Sequence, residues 1–183
     1  MTARNSVAVL TMIVSLGVCC ANPVAGQEQS EMAHDGPAMN FLRIGPRLAT
    51  GGHFADDGVA AISQQGVSLV IDLRDTPPEG QKERLAAAGI RWINVPVVWR
   101  APRREDFEAF SRLMSENEGE NILVQCQANY RASAFTYMYR VTELGVPESE
   151  ARKELTAVWS PEGTWLKYME EIMDAAKRQS GDP

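Results

Sequence analysis

The strongest constraint on the fold is an alternation between short apolar runs and stretches with helical spacing. Residues 67–73 (VSLVIDL) are nearly all apolar and rich in β-branched side chains, which is typical of a strand buried on both faces. Strand-like patterns also occur in residues 41–44, 48–50, 90–98 and 121–124. Helices are predicted over residues 55–65, 82–88, 105–116, 131–144, 148–159 and 161–177. Because alternating strands and helices build βαβ units, we predict an α/β fold with a mostly parallel sheet of about four to five strands, flanked by helices.

The first 26 residues have the layout of a secretory signal peptide. A positively charged start precedes an uncharged apolar core at residues 7–21, and small residues follow. This core is shorter than the roughly 20 residues that a membrane-spanning helix needs. We predict cleavage after Gly26, a periplasmic or secreted bacterial protein, and no stable membrane insertion once the leader is removed. Acylation of Cys19 or Cys20 would need a small residue before the cysteine, and Val18 fills that position poorly.

The remaining residues suit one domain with one hydrophobic core. Residues 27–40 are polar and lack periodicity, which predicts a flexible tether. We predict the domain at residues 41–178 and a disordered tail at 179–183. The formal net charge of −6 argues against nucleic acid or an anionic membrane surface as a partner.

Removal of the leader leaves Cys126 as the single cysteine of the chain. Exported proteins usually pair their cysteines in disulfides, and Cys126 has no partner within the chain. A buried free cysteine can simply be a small apolar core residue. A lone thiol in an oxidising compartment is also a chemical hazard, however, and its presence there favours a reactive role.

The residues around Cys126 explain what that role could be. A strand-like run ends just before it, and a helix is predicted to begin near Arg131. Amides of the intervening turn and of the helix start can form an anion cradle that stabilises a cysteine thiolate as a nucleophile. The planar guanidinium of Arg131 suits two oxygens of a tetrahedral oxyanion, and Asn129 suits a turn that needs positive φ. The alternative is an ordinary strand–helix connection, because C-x4-R alone is a weak pattern.

A family resemblance supports the reactive interpretation. Residues 124–147 (VQCQANYRASAFTYMYRVTELGVP), with LRIGPRLATGG, LVIDLRDTPPEG and VWSPEG, resemble the beta-lactamase-hydrolase-like group of cysteine-based protein tyrosine and dual-specificity phosphatases. The resemblance covers about residues 40–173. It implies a tyrosine-phosphatase-like fold and hydrolysis of a phosphate monoester through a cysteinyl-phosphate intermediate, without a metal or other cofactor. The substrate would be a phosphorylated small molecule or a phosphoprotein, and the oligomeric state stays open.

The resemblance also implies roles for individual residues. Cys126 would be the nucleophile and Arg131 the phosphate clamp. The amides of the connecting loop would bind the substrate oxyanion: Gln127, Ala128, Asn129 and Tyr130. Ser133 stands at the spacing of the superfamily's loop hydroxyl and would help the thiolate to leave.

The sequence departs from the superfamily pattern around the cysteine. Gln125 replaces the usual histidine, the loop is one residue shorter, and Ala132 follows the arginine. A C-x4-R loop is also the length found in rhodaneses, so sulfur transfer through a Cys126 persulfide is the rival activity. A non-catalytic module that binds anions or phosphopeptides is the third hypothesis.

The general acid is the least defined part of the predicted site. Residues 98–104, where the superfamily carries an aspartate, contain no carboxylate. Glu105 and Asp106 follow, and Asp106 is the predicted acid, although an acidic residue at a helix start is also favoured by the helix dipole alone. Asp72 and Asp75 end a neighbouring strand and could reach the site, and Asp72 could equally be a structural hydrogen-bonding residue.

Overall fold

A five-stranded sheet forms the centre of the computed structural model, which describes residues 36–180. Its strands are β1 (Leu42–Gly45), β2 (Leu48–Gly51), β3 (Leu69–Arg74), β4 (Arg91–Val97) and β5 (Ile122–Gln125). Their order in the sheet is β1-β2-β5-β3-β4, with β1 antiparallel to β2 and the other neighbours parallel. The predicted α/β fold with a mostly parallel sheet is confirmed.

Six helices flank this sheet in the described part of the chain. They are α1 (Gly58–Gln64), α2 (Gln81–Ala87), α3 (Arg104–Glu116), α4 (Tyr130–Thr142), α5 (Glu148–Val158) and α6 (Gly163–Ser180). Between residues 36 and 180, no helix combines the length and apolar composition needed to cross a bilayer. The predicted signal peptide lies outside the described residues.

The side chains of β3 show why its sequence is almost continuously apolar. Leu69, Ile71 and Leu73 face the larger core, which also contains α3, α4 and α6. Val70 faces the smaller core, beneath α1 and α2. Both faces of the strand are therefore covered by helices, as expected for a parallel strand in the middle of an α/β sheet.

Helix α4, which carries Arg131, is surrounded by protein along most of its length. All residues from 131 to 140 are buried, because the sheet lies on one side and α3, α5 and α6 pack around the others. Phe135 anchors this packing through edge contacts with Phe107 and Phe110, whose ring centroids lie 5.9 and 5.5 Å away. The helix therefore presents Arg131 from a fixed position.

Ordered contacts extend a few residues beyond the predicted domain, residues 41–178, at both ends of the described structure. Ala38 is only 1% exposed and forms an antiparallel bridge with Phe54. The amide of Met39 donates to the His53 carbonyl at 2.9 Å, so the end of the predicted tether is part of the folded domain. Helix α6 continues to Ser180, into the predicted tail. Sequence periodicity did not reveal the N-terminal contact because it is made by backbone groups to residues distant in sequence.

We predict that Gly58→Ala loosens this N-terminal segment. A Cβ atom at Gly58 would lie 2.0 Å from the Pro37 carbonyl oxygen, which forces the segment to move. We expect a loss of about 1–3 kcal/mol in the free energy of unfolding, as for overpacked sites, measured by urea denaturation. Gly45→Ala is the control, since a Cβ there meets no atom within 4 Å. Equal stability of the two variants would contradict the prediction.

Candidate active site

The described structure contains the predicted succession of strand, cysteine, short loop and helix. Cys126 directly follows β5, at the carboxyl ends of β2 and β3, where ligands bind in open parallel sheets. Its amide donates to the Gly51 carbonyl at 3.0 Å, and its side chain is 1% exposed. The chain then turns through residues 127–129, and α4 begins at Tyr130. We call residues 126–131 the cysteine loop.

Several amides of the cysteine loop and of the first turn of α4 have no protein acceptor among the described residues. The amide of Ser133 donates to the Asn129 carbonyl at 2.9 Å and begins the regular bonding of α4. Within residues 36–180, no hydrogen bond is found for the amides of Gln127, Ala128, Tyr130, Arg131 and Ala132. Such donors at a helix start bind anions, and the helix dipole adds to the attraction.

Asn129 has the backbone conformation that the sequence predicted for it. Its φ is +66°, in the left-handed region that asparagine accepts better than most residues. Its side-chain amide donates to the Asn40 carbonyl at 2.5 Å and to the Thr50 hydroxyl at 3.0 Å. The sharp turn before α4 is therefore held by contacts to the N-terminal segment and to β2.

Gly52 allows the cysteine loop to lie directly against the end of β2. A Cβ atom at this position would be 2.8 Å from the Gln127 carbonyl oxygen and 3.0 Å from the Ala128 Cα. In the sequence, the pair Gly51-Gly52 is a signal for a turn after a short strand and for nothing more specific. The need for a glycine follows from the close approach of two backbone segments, which strand and turn signals do not report.

Arg131 is held by one edge of its guanidinium and is only 6% exposed. Its Nη1 donates to the Val97 carbonyl at 2.6 Å and to the Asp75 carboxylate at 2.9 Å. Among the described residues, no acceptor is found for its Nε and Nη2, the pair that forms the opposite edge. That edge has the geometry for bidentate binding of a phosphate.

Asp75 joins the site through Arg131. The hydrogen bond from the guanidinium holds the pKa of the Asp75 carboxyl below its usual range. The group is therefore a carboxylate at neutral pH and does not hold a proton to donate in this arrangement. The sequence identified Asp75 as able to reach the site, and the structure places it against Arg131.

Gln125, which stands where the superfamily has a histidine, belongs to a buried polar network. Its Oε1 accepts hydrogen bonds from Gln81 at 3.0 Å and from Arg74 at 3.3 Å, and its Nε2 donates to the Gly52 carbonyl at 3.0 Å. The Asp72 carboxylate pairs with Arg74 at 2.6 Å and accepts a bond from Gln81. Asp72 is thus occupied as a structural partner, one of the two roles that the sequence left open.

We predict that the Asp72–Arg74 pair supports the fold strongly. Arg74→Met leaves the fully buried Asp72 carboxylate without its cation, which should lower the free energy of unfolding by about 3–5 kcal/mol. The matched control is Arg91→Met, because Arg91 pairs with Glu120 at the surface and should contribute less than about 1 kcal/mol. Urea denaturation of both variants measures the difference. A similar loss in the two variants would argue against the buried pair as a structural support.

Asp106 lies at the start of α3 and caps that helix. Its Oδ2 accepts the Arg103 amide at 3.0 Å, and its Oδ1 accepts the Arg103 guanidinium at 2.9 Å. Both oxygens are therefore occupied in a capping box, and the residue is 5% exposed. The contacts favour the helix-start role over proton donation, and the general-acid assignment of Asp106 stays a prediction.

Ser133 forms no hydrogen bond with Cys126 in the described structure. Its hydroxyl donates to the Tyr130 carbonyl at 3.1 Å and accepts the Trp159 indole N–H at 3.2 Å. The predicted assistance to the departing thiolate would require this hydroxyl to turn.

An aromatic cluster that the sequence did not predict as part of the site borders the cysteine loop. The Tyr130 ring stacks on Trp159 with centroids 4.8 Å apart, and Trp99 stacks on Trp165 at 4.9 Å. The Trp165 indole also donates to the Trp99 carbonyl, which ties α6 to the loop after β4. No sequence pattern indicated that Trp159 and Trp165, which lie in the C-terminal part of the chain, would meet the cysteine loop.

Comparisons with known proteins agree with this geometry. The model of the family described as "DSP-PTPase phosphatase fused to NAD+ Kinase" matches residues 29–172. A crystallised candidate phosphatase (DUF442) from Shewanella putrefaciens CN-32 is 27% identical with a TM-score of 0.70, covering 84% of this chain and 98% of its own. No curated protein matches the sequence.

Two more distant structures show the same fold. The core catalytic domain of the PP-IP phosphatase SIW14 from S. cerevisiae has 14% identity and a TM-score of 0.62, with coverage of 80% of this chain and 96% of its own. TpbA from P. aeruginosa in complex with pTyr has 16% identity and a TM-score of 0.61, with 80% and 93% coverage. Because the family model spans most of the chain, the protein belongs to the DSP-PTPase family of cysteine-based phosphatases.

Proposed function

We propose that the protein hydrolyses phosphate monoesters through a cysteinyl-phosphate intermediate on Cys126. The observation that carries this proposal is the position of Cys126 at the start of a loop of unpaired amides, in the same short loop as the free edge of Arg131. A thiolate, main-chain donors and a guanidinium are what attack on a phosphoryl group requires.

The reaction would proceed in two displacements. The phosphoryl oxygens bind to loop amides and to Nε and Nη2 of Arg131. The Cys126 thiolate attacks phosphorus as the bond from phosphorus to the ester oxygen breaks, and that oxygen takes a proton from solvent water. Water then attacks the phosphocysteine, which releases inorganic phosphate and restores the thiolate. Ser133 would stabilise that thiolate as it leaves, after breaking its bond to the Tyr130 carbonyl.

The surrounding contacts support this chemistry by fixing the charged groups in advance. Val97 and Asp75 hold Arg131 by one edge, and Gln125 links the loop to the buried network beneath it. Donors that are oriented before the substrate arrives need not reorganise as charge develops in the transition state.

For the substrate we propose a class of compounds, phosphate monoesters, and not a single molecule. TpbA was crystallised with phosphotyrosine, and SIW14 is described as a PP-IP phosphatase. A phosphoprotein and a small phosphorylated molecule therefore both remain candidate substrates for this chain. We also propose export to the periplasm or beyond, on the strength of the apolar leader before Gly26.

We predict that Cys126→Ser abolishes turnover of p-nitrophenyl phosphate, because a serine hydroxyl at this position lacks the nucleophilicity of a thiolate. In the wild-type protein, rapid acid quenching followed by mass spectrometry should find a phosphate adduct on Cys126. Phosphatase activity that survives Cys126→Ser would exclude the proposed nucleophile.

The same experiments test sulfur transfer, which the four-residue spacing between Cys126 and Arg131 favours as the second candidate. Incubation with thiosulfate would then add one sulfur to Cys126, and cyanide would remove it as thiocyanate. A sulfur adduct without a phosphate adduct would replace the proposed function with this one.

The helix-capping role and the general-acid role of Asp106 can be distinguished, because the first affects stability and the second affects turnover. We expect Asp106→Asn to lower the free energy of unfolding by about 0.5–2 kcal/mol, because it weakens the cap of α3. Turnover of phenyl phosphate, whose leaving group is poor, should stay close to the wild-type rate. A loss of about 10²–10⁴-fold in that turnover would identify Asp106 as the general acid.

A further inference from the structure

We infer that Asn40 is a positioning residue of the active site, which clamps the cysteine loop from the N-terminal segment. The inference rests on the proposed function, because it assigns Asn40 a role in preparing the loop for a phosphoryl group. No motif in the sequence marked this residue, which lies in the predicted tether.

The clamp consists of two hydrogen bonds that run in opposite directions. The Asn40 side-chain amide donates to the Ala128 carbonyl at 3.1 Å, and the Asn129 side-chain amide donates to the Asn40 carbonyl at 2.5 Å. Among residues 36–180, Asn40 and Asn129 are also the two non-glycine residues with positive φ, at +48° and +66°. The Asn129 side chain thus bonds to the backbone of Asn40, and the Asn40 side chain bonds to the carbonyl of Ala128, the residue before Asn129.

This coincidence has a physical explanation. A left-handed conformation costs a non-glycine residue roughly 1–2 kcal/mol, less for asparagine, and persists only where its surroundings compensate. In this conformation the Asn40 side chain and the Asn40 carbonyl both bond to the cysteine loop. The two residues are 89 positions apart, so the contact is a tertiary one and not a local turn.

The clamp fixes the peptide planes of the loop. In a planar trans peptide the C=O and the following N–H point in opposite directions. The Ala128 carbonyl is held by Asn40, and the Gln127 carbonyl is held by the amide of His53 at 2.9 Å. The Ala128 amide therefore points away from His53, and neither carbonyl can rotate into the oxyanion position, where it would repel phosphate.

The segment that carries Asn40 is itself held firmly. The amide of Gly52 donates to the Met39 carbonyl at 2.7 Å, and Ala38 is buried against Phe54 through an antiparallel bridge. The two residues before Asn40 are therefore fixed to Phe54 and to the end of β2. A rigid support of this kind is what a preorganised oxyanion site needs.

The decisive variant is Asn40→Gly in the full chain. Glycine keeps the positive φ without strain and removes only the side-chain donor to Ala128. We expect inorganic phosphate to bind about tenfold more weakly by calorimetry, and kcat/KM for p-nitrophenyl phosphate to fall by about tenfold, because the loop is no longer preorganised. The rate of Cys126 alkylation by iodoacetamide should change as well.

The control is Asn117→Ala. Asn117 also donates to a main-chain carbonyl, that of Leu113 at 2.8 Å, but it lies after α3 and before the start of β5. Its phosphate affinity should equal that of the wild-type protein. Asn40→Asp is the second variant if Asn40→Gly folds poorly, since it keeps the shape of the side chain and replaces the donor with an acceptor.

The possible outcomes separate this inference from the proposed function. Unchanged phosphate affinity and alkylation rate in Asn40→Gly would overturn the clamp. A wild-type protein that binds no phosphate would overturn the proposed function instead. The rate of Cys126 alkylation would then be the remaining test of the clamp. Coupling between Asn40→Gly and Asn129→Gly in a double-mutant cycle supports the clamp, and additive effects would contradict it.

Discussion

The double pairing of β5 is the constraint on which the active site depends. This strand lies between β2 and β3, both parallel to it, and its register sets Gln125 beside Gly51 on one side and Asp72 on the other. A strand bonded along both edges cannot shift by one residue without breaking both pairings and moving Ile122 and Val124 from the larger core to the smaller one. Cys126, the next residue along the chain, is therefore delivered to a fixed point at the sheet edge.

The residues around that point are held by bonds that leave other donors available. Asp75 and the Val97 carbonyl occupy Nη1 of Arg131, while the opposite edge of the guanidinium is left for an oxyanion. The same bond favours the carboxylate form of Asp75 and lowers its pKa, so its contribution to stability is present above the usual carboxyl pKa and is lost as the pH falls through the lowered value. Because Asp75 is 44% exposed, that contribution is screened by solvent.

Gln125 shows how the interior adapts to a departure from the superfamily pattern. An uncharged amide can both donate and accept, and here it links the Gly52 carbonyl to Gln81 and Arg74. The network that results compensates the buried Asp72–Arg74 pair, whose desolvation would otherwise be costly. The loop is thus supported from below by side chains and from the N-terminal side by Asn40.

Sequence alone determined the order of the strands and helices, the position of Cys126 after a buried strand, and the positive φ of Asn129. Each of these follows from local chemistry: apolar periodicity, helix-start signals and the tolerance of asparagine for the left-handed region. The family resemblance also identified Arg131 and the loop residues as candidates. Only the tertiary structure decided which hydrogen-bond partners the side chains of the site have. Asp106 turns back to Arg103, Ser133 to Tyr130 and Trp159, and Asn40 to the cysteine loop. The Asn40 bond spans 88 positions and the bond from Trp159 to Ser133 spans 26, and the orientation of side chains and peptide planes that makes such bonds is not encoded in a pattern of neighbouring residues.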